Sequence, residues 1–211
     1  MTAESLVAFS IASIGLALTP GPDILTVITR SITQGRGAGI VASLGFATGL
    51  VVHTTAAALG LALVLRGSPN LFAAIKFAGA AYLVYLAIHT LMAGESFLID
   101  TAGAGRRKLG FIYRQSILMN VLNPKVTLFF LAFLPQFVTP EGLGGRVALQ
   151  FVLLGVIFAL CTIVTFGTCV VFAAGISGWI RRQPRAQRWL RYLTAALFLA
   201  IAIHMIFLNL H

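Results

Sequence analysis

The sequence predicts an all-α integral membrane protein with six transmembrane helices. Composition is the first reason: 59% of the residues are hydrophobic and 9% are charged, whereas a soluble domain carries about 25% charged residues. The second reason is that apolar stretches recur at the length of about 20 residues that a helix needs to cross a bilayer. We therefore expect a single transmembrane domain over residues 1–211, embedded in the lipid of the inner cell membrane.

Six apolar stretches are long enough to cross a bilayer, and polar or basic linkers separate them. They are Leu6–Ile28, Ala38–Leu65, Leu71–Met92, Ser116–Phe137, Val147–Ile176 and Leu190–Leu210. The N-terminal MTAESLVAFS has no basic residue before the first stretch. We therefore expect it to begin the first helix rather than to form a cleaved signal peptide.

The net charge of +10 comes from basic residues between the apolar stretches. This placement is typical of topology signals, so we expect no nucleic-acid partner. The basic residues concentrate after spans one, three and five: Arg30 and Arg36; Arg106, Arg107, Lys108 and Arg114; Arg181, Arg182, Arg185 and Arg188. The positive-inside rule places these linkers in the cytoplasm and both termini outside. Lys76, near the start of span three, is expected to extend its amine toward the membrane interface.

A stripe of small residues on span two ends in a histidine. Gly45, Gly49 and His53 follow one another at steps of four, so they share one face of a helix. Glycines at such spacing allow close helix approach, which predicts that this face packs against protein rather than lipid. For His53 the sequence leaves two roles open, a structural hydrogen bond and a proton relay.

Motifs for enzyme and cofactor chemistry are missing from the sequence. It has no phosphate-binding P-loop, no HExxH, no CxxC and no GxSxG, so we predict no enzyme activity, cofactor or metal. Cys161 and Cys169 are eight residues apart in one apolar stretch, which corresponds to about 12 Å along a helix. A disulfide requires Cα atoms within roughly 7 Å, so both thiols are expected to be free.

Two of the predicted spans contain a proline followed directly by a charge. Span one holds Thr19, Pro20, Gly21, Pro22 and Asp23; span four holds Asn123, Pro124 and Lys125. Proline interrupts the helical hydrogen bonds, and in lipid such a break is tolerated only against protein or a water-filled cavity. A lone charge at membrane depth usually marks an ion or substrate path.

The two breaks occupy corresponding positions, because each lies in the first span of a three-span half. Three spans reverse the orientation, so we predict two inverted repeats with Pro-broken first helices, an arrangement that points to a transporter binding site. Asp23 is about 10 Å and Lys125 about 16 Å from the cytoplasmic edge, at 1.5 Å per residue. Their depths allow both side chains to bind one ligand.

Asn123–Pro124 and Thr19–Pro20 both have the pattern of a helix start, with a capping side chain before proline. A half-helix N-terminus presents free N–H groups and a positive dipole end, which suits a carboxylate. Together with Asp23 for an ammonium group, the site matches a zwitterion. The alternative is a buried Asp23–Lys125 ion pair that only fixes helix packing.

Four strings in the sequence carry a family resemblance. TPGPD, GFATGLVVHTTAAALGLALVL, AGAAYLVYL and NPKVTLFFLAFLPQFV resemble the LysE/RhtB family of amino-acid exporters over the whole length. The chain departs from the family at Ala87, where glycine is common. The resemblance implies secondary efflux of amino acids or their derivatives from the cytoplasm, by proton antiport. It also implies that the residues matching the family's motifs form the site; these are Pro20, Gly21, Pro22, Asp23, Asn123, Pro124 and Lys125.

Two other functions compete with export. A membrane redox or electron-relay protein of similar helical-repeat architecture would need a cysteine pair at the breaks, where this chain has Asp23 and Lys125. A lipid-phosphate enzyme would need Arg, Ser and His clustered at one interface, whereas the arginines here are spread over three linkers. The sequence does not identify the amino acid, and it is compatible with a homo-oligomer.

Overall fold

A computed structural model describes residues 1–19, 21–61, 69–92, 106–139, 142–182 and 184–207. The regular structure in these ranges is entirely helical, as predicted. The α-helices of five or more residues are α1 (Ala3–Leu18), α2 (Pro22–Gln34), α3 (Arg36–Ala56), α4 (Pro69–Met92), α5 (Leu109–Val121), α6 (Pro124–Leu128), α7 (Val147–Arg182) and α8 (Pro184–Phe207). A π-helical turn, Ala57–Leu61, extends α3; a π-turn, Phe129–Phe133, and a 3₁₀ turn, Leu134–Phe137, extend α6.

Three helical segments are long and apolar enough to cross a membrane: Arg36–Gly60, Ala73–Met92 and Val147–Ala173. Two bent pairs raise this number to five if each pair forms one span. Large apolar side chains are exposed on these helices, as lipid-facing positions require; examples are Val51, Leu160 and Val164. The count of six and the inverted repeat remain predictions. Residues 62–65 of the second predicted span and 208–210 of the last one lie outside the described ranges.

Both predicted breaks are present as bends between two helices. The axes of α1 and α2 meet at 60°, and those of α5 and of Pro124–Phe137 meet at 48°. In each case a proline stands at the first position of the second helix, Pro22 for α2 and Pro124 for α6. A proline at this position needs no intrahelical N–H partner, so the chain resumes its helix without loss of a hydrogen bond.

The prediction that Thr19 caps the second half of span one is wrong. Thr19 instead ends α1: its backbone N–H and its hydroxyl both donate to the Gly15 carbonyl. The residue before α2 is Gly21, which has extended backbone and no capping side chain. The second proline of the motif, Pro22, begins the helix two residues later than Pro20 would, and Pro20 itself lies outside the described residues.

The glycine stripe of α3 packs against protein, as predicted, and its neighbour is α5. A Cβ built on Gly45 would lie 2.6 Å from the Tyr113 carbonyl oxygen, and one on Gly49 would lie 2.7 Å from the Asn120 Cβ. Neither position has room for a larger residue, so the two glycines set the distance between α3 and α5. His53 follows on the same face and is buried.

The core consists of two apolar clusters. One contains Phe129 with the rings of Phe9, Phe133 and Phe158 packed against it at a tilt. The other contains Phe46 in edge contact with Phe166. Helix α7 contributes to both clusters and therefore connects the two parts of the core.

The structure also bears on two further predictions, those for Lys76 and for the two cysteines. Lys76 is buried, and its Nζ lies 3.5 Å from the Ile206 carbonyl oxygen in the last turn of α8. Packing of α4 on α8 thus places the amine at the C-terminal end of α8, where the last carbonyls favour a cation. That the amine extends toward the membrane interface stays a prediction. Cys161 and Cys169 are free thiols, as their spacing predicts.

Candidate functional site

Asp23 lies in the first turn of α2 and is buried. A carboxylate at this position is stabilised by the positive end of the helix dipole. Its Oδ1 accepts a hydrogen bond of 2.7 Å from the Asn123 side-chain amide, Nδ2. The lone acid of span one is thus tied to the break in span four.

Asn123 joins the two broken spans. Its Oδ1 accepts a 3.0 Å hydrogen bond from the Lys125 backbone N–H and caps α6, as the sequence predicts. Because Nδ2 donates to Asp23, one amide caps one half-helix and binds the first turn of another. The side-chain amide therefore fixes the position of α6 relative to α2.

Lys125 sits at the end of α1. The side chain is 9% exposed, and Nζ lies 3.3 Å from the Leu16 carbonyl oxygen and 3.4 Å from that of Thr19. The last carbonyls of a helix lack intrahelical donors and carry its negative dipole end, so they favour a cation. The break in span one therefore supplies a place for each charge: the end of α1 for Lys125 and the start of α2 for Asp23.

Gly21 lies between the two charged groups. A Cβ built on it would lie 3.2 Å from Lys125 Nζ and 3.7 Å from Asp23 Oδ1, so both groups face its empty side-chain position. Within the described part of the chain, Asp23 bonds to the Asn123 amide and Lys125 bonds to main-chain carbonyls. The site brings the predicted acid and base together, but with separate uncharged partners rather than a direct ion pair.

A small cavity opens beside these residues, between the two apolar clusters. Its polar lining residues are Asp23, Asn120, Lys125 and Thr162; its apolar ones are Leu16, Ala17, Val126, Phe158 and Phe166. The cavity volume is about 10 Å³, and a single water needs roughly 10–15 Å³ by the same measure. A larger ligand can enter only if the surrounding helices move apart.

His53 is close to the site without lining the cavity. Its Nε2 lies 3.1 Å from the Asn120 carbonyl oxygen, and its ring packs on Phe130 at 5.5 Å between centroids. The prediction that this face of α3 packs against protein is confirmed. The hydrogen bond corresponds to the structural role, and it links α3 to the end of α5.

Sequence reasoning missed the two uncharged polar residues of the cavity, Asn120 and Thr162. Thr162 lies in α7 and its hydroxyl donates to the Phe158 carbonyl. Asn120 comes three residues before Asn123 in the same apolar stretch. An uncharged amide at membrane depth is itself a signal for a helix contact or a site, and Asn120 could have been selected on that ground.

Comparison with known proteins identifies the family. The sequence model of the family described as LysE type translocator matches residues 14–208 of this chain. The chain belongs to this family. The translocator is 30% identical to the uncharacterized membrane protein YrhP of Bacillus subtilis, over 95% of this chain and 97% of that protein. It is also 30% identical to the homoserine/homoserine lactone efflux protein of Salmonella typhimurium, over 95% of each chain. No solved structure matches.

The match confirms the LysE-like resemblance and covers both proline breaks of this translocator. A LysE type translocator is an integral membrane transporter, so the chain is not an enzyme. Membership also favours transport over a redox relay. The charged pair at the breaks, Asp23 and Lys125, can now be interpreted as part of a transport protein.

Proposed function

We propose that this protein is a secondary exporter that moves amino acids or their close derivatives out of the cytoplasm in exchange for protons. The observation that carries the proposal is the placement of Asp23 and Lys125 on one buried cavity with separate, uncharged partners. Efflux is the activity named for the relative from Salmonella typhimurium, whose named substrates are homoserine and its lactone.

The charges of the cavity suit a zwitterion. An amino acid presents an ammonium and a carboxylate on one carbon, and Asp23 and Lys125 face the same empty side of Gly21. A substrate ammonium on Asp23 and a substrate carboxylate on Lys125 would replace neutral hydrogen-bond partners by oppositely charged ones and would form an ion pair at each end of the ligand. Each buried charge would then have an opposite charge next to it, whose attraction offsets part of the cost of burial.

Asp23 is the residue that we assign to proton coupling. A carboxylate can hold a substrate ammonium or a proton, and the two compete because either one neutralises the charge. Export in exchange for protons needs a group that binds the substrate ammonium when the site opens to the cytoplasm and a proton when the site opens to the outside. Asp23 supports this role because it is the one acidic residue among those that line the described cavity.

The proposed orientation follows from the basic linkers. With Arg30, Arg36, Arg107 and Lys108 on the cytoplasmic side of the inner membrane, both termini lie outside. The bends at Pro22 and Pro124 then belong to two inverted halves that meet at the cavity. Movement of one half against the other would open the cavity to each side in turn, which is the usual mechanism in folds with inverted repeats.

Flux into proteoliposomes tests the proposal. Purified protein is reconstituted, a pH gradient is imposed, and accumulation of labelled homoserine, threonine, lysine and glutamate is measured. We expect at least one amino acid to accumulate against its gradient and the accumulation to collapse with a protonophore. Lys125→Met should abolish it, whereas Lys108→Met, at an exposed position, should not. No gradient-dependent flux of any amino acid would overturn the proposal.

A further inference from the structure

Asn120 is a buried amide without a partner for its oxygen. The residue is 2% exposed, and it lines the cavity together with Asp23 and Lys125. Its side-chain oxygen, Oδ1, has no hydrogen-bond donor within reach among the described residues. A buried polar atom that lacks a partner costs about 1–3 kcal/mol, so such atoms call for an explanation in a ligand or a water.

The position of this amide is set by its neighbours on α3. A Cβ on Gly49 would lie 2.7 Å from Asn120 Oδ1, so only glycine leaves room for the side chain. The Asn120 main-chain carbonyl is bonded to His53 Nε2. His53 therefore holds the backbone of Asn120, and Gly49 provides the space for its side chain. The side-chain oxygen still lacks a donor among the described residues. Rotation of the amide exchanges its oxygen and nitrogen, so it can offer a ligand an acceptor or two donors.

The charges of the cavity limit what a bound amino acid can carry on its side chain. In the proposed site, Asp23 binds the ammonium and Lys125 binds the carboxylate. The remaining polar lining residues are Asn120 and Thr162, which are uncharged, and the rest of the lining is apolar. A third charge on the ligand would have no opposite charge there, and burying an unpaired ion is strongly unfavourable.

We propose that Asn120 binds the side chain of the transported amino acid and that the site selects small substrates with an uncharged, hydrogen-bonding side chain. This inference rests on the proposed function. Oδ1 lies beside the side-chain position of Gly49. Once the amide has turned toward the cavity, a hydroxyl on the substrate donates to Oδ1 and gives that atom the partner it lacks. An apolar side chain of equal size leaves the oxygen without a partner and is therefore disfavoured.

The first test needs only the wild-type protein. Uptake into proteoliposomes is measured for pairs that differ by one group: homoserine against norvaline, and threonine against valine. We expect the hydroxyl compound to be preferred about tenfold in each pair, as one hydrogen bond predicts. Homoserine should also be preferred over 2,4-diaminobutyrate, which places an ammonium where homoserine has its hydroxyl. Equal uptake within the pairs, or preference for the diamine, would overturn the inference.

The second test changes the selectivity. Asn120→Asp replaces the amide by a carboxylate of the same shape. The new acid can pair with the side-chain ammonium of 2,4-diaminobutyrate. We therefore expect the ratio of 2,4-diaminobutyrate uptake to homoserine uptake to rise about tenfold or more. Gln115→Glu is the matched control: Gln115 lies on the same helix and has a buried oxygen without a partner, but it is not among the cavity-lining residues. This control should leave the ratio unchanged.

Failure of the inference and failure of the proposed function give different results. If wild-type protein accumulates no amino acid under a pH gradient, the proposed function is wrong. If it accumulates amino acids but accepts norvaline as well as homoserine, only the role of Asn120 is wrong. If Asn120→Asp elutes as folded protein and keeps the wild-type ratio, the same conclusion follows. Should that variant aggregate, Asn120→Ala decides, because it should lower homoserine uptake to the level of norvaline.

Discussion

Asn123 Nδ2 lies 2.7 Å from Asp23 Oδ1, although the two residues are 100 positions apart in the chain. The bond connects the first turn of α2 to the cap of α6. It therefore makes the two proline breaks, one in each half of the chain, parts of a single site. Both ends of the bond are buried, which protects it from competition with bulk water.

The first prediction concerns this bond. Asn123→Ala removes the cap of α6 and the donor to Asp23, so we expect transport to be lost. Loss of a cap costs about 1 kcal/mol, which is too little to unfold the packed helices, and the purified variant should keep a near-normal melting temperature. Flux and thermal unfolding are measured on the same preparation. Normal flux by Asn123→Ala would show that the bridge between the breaks is dispensable.

Asn123→Asp separates the two functions of the amide. Aspartate still caps a helix and can accept from the Lys125 N–H, but it cannot donate to Asp23 and places a like charge beside it. We expect this variant to fold and to transport no better than Asn123→Ala. Normal flux by Asn123→Asp would mean that transport requires only the helix cap at this position and not the hydrogen bond to Asp23.

The second prediction concerns proton coupling. Asp23→Asn keeps the size of the side chain but removes its ability to ionise. It should abolish accumulation driven by a pH gradient and leave slow downhill exchange at most. The measurement is proteoliposome flux with and without the gradient. Wild-type accumulation by this variant would exclude Asp23 from coupling and would favour a purely structural role.

The third prediction compares two glycines of α3. Gly49→Ala places a Cβ 2.7 Å from Asn120, whereas at Gly37 no atom of the described residues lies within 4 Å of the added atom. Overpacking of this kind costs about 1–3 kcal/mol, so Gly49→Ala should unfold at a lower temperature than wild type. Gly37→Ala should be neutral or stabilising, because alanine favours a helix. Equal melting temperatures for the two variants would contradict the close contact between α3 and α5.

The fourth prediction concerns topology. If both termini lie outside, a reporter that is active only in the periplasm should be active when fused after His211. A reporter that is active only in the cytoplasm should be active when fused in the linker that follows Met92. The reverse pattern would overturn the orientation that we derive from the basic residues.

The proline breaks were predictable because their signal is local. A proline beside a lone charge in an apolar stretch is visible in a few residues, and Asp23, Asn123 and Lys125 all carry it. The capping role of Asn123 followed from the same local pattern. Thr19 was assigned wrongly because the motif holds two prolines, and the sequence does not show which of them begins the helix.

The partners across the site were not predictable. Whether Asp23 meets Lys125 or Asn123 depends on the relative rotation of α2 and α6, and neither helix fixes that rotation by its own sequence. Asn120 and Thr162 were missed for the same reason, since an uncharged polar residue in a span can face a neighbour, a cavity or its own backbone. Only the packed arrangement distinguishes these cases.

The contact between Lys125 and the end of α1 has a consequence for the return step of the transport cycle. The Leu16 and Thr19 carbonyls accept hydrogen bonds from the Lys125 ammonium, so protein groups alone solvate this buried cation. The barrier to reorientation without cargo should therefore be low. Net efflux into an amino-acid-free medium should proceed at a rate comparable to exchange, and a net rate far below the exchange rate would show that the unloaded carrier is held on one side.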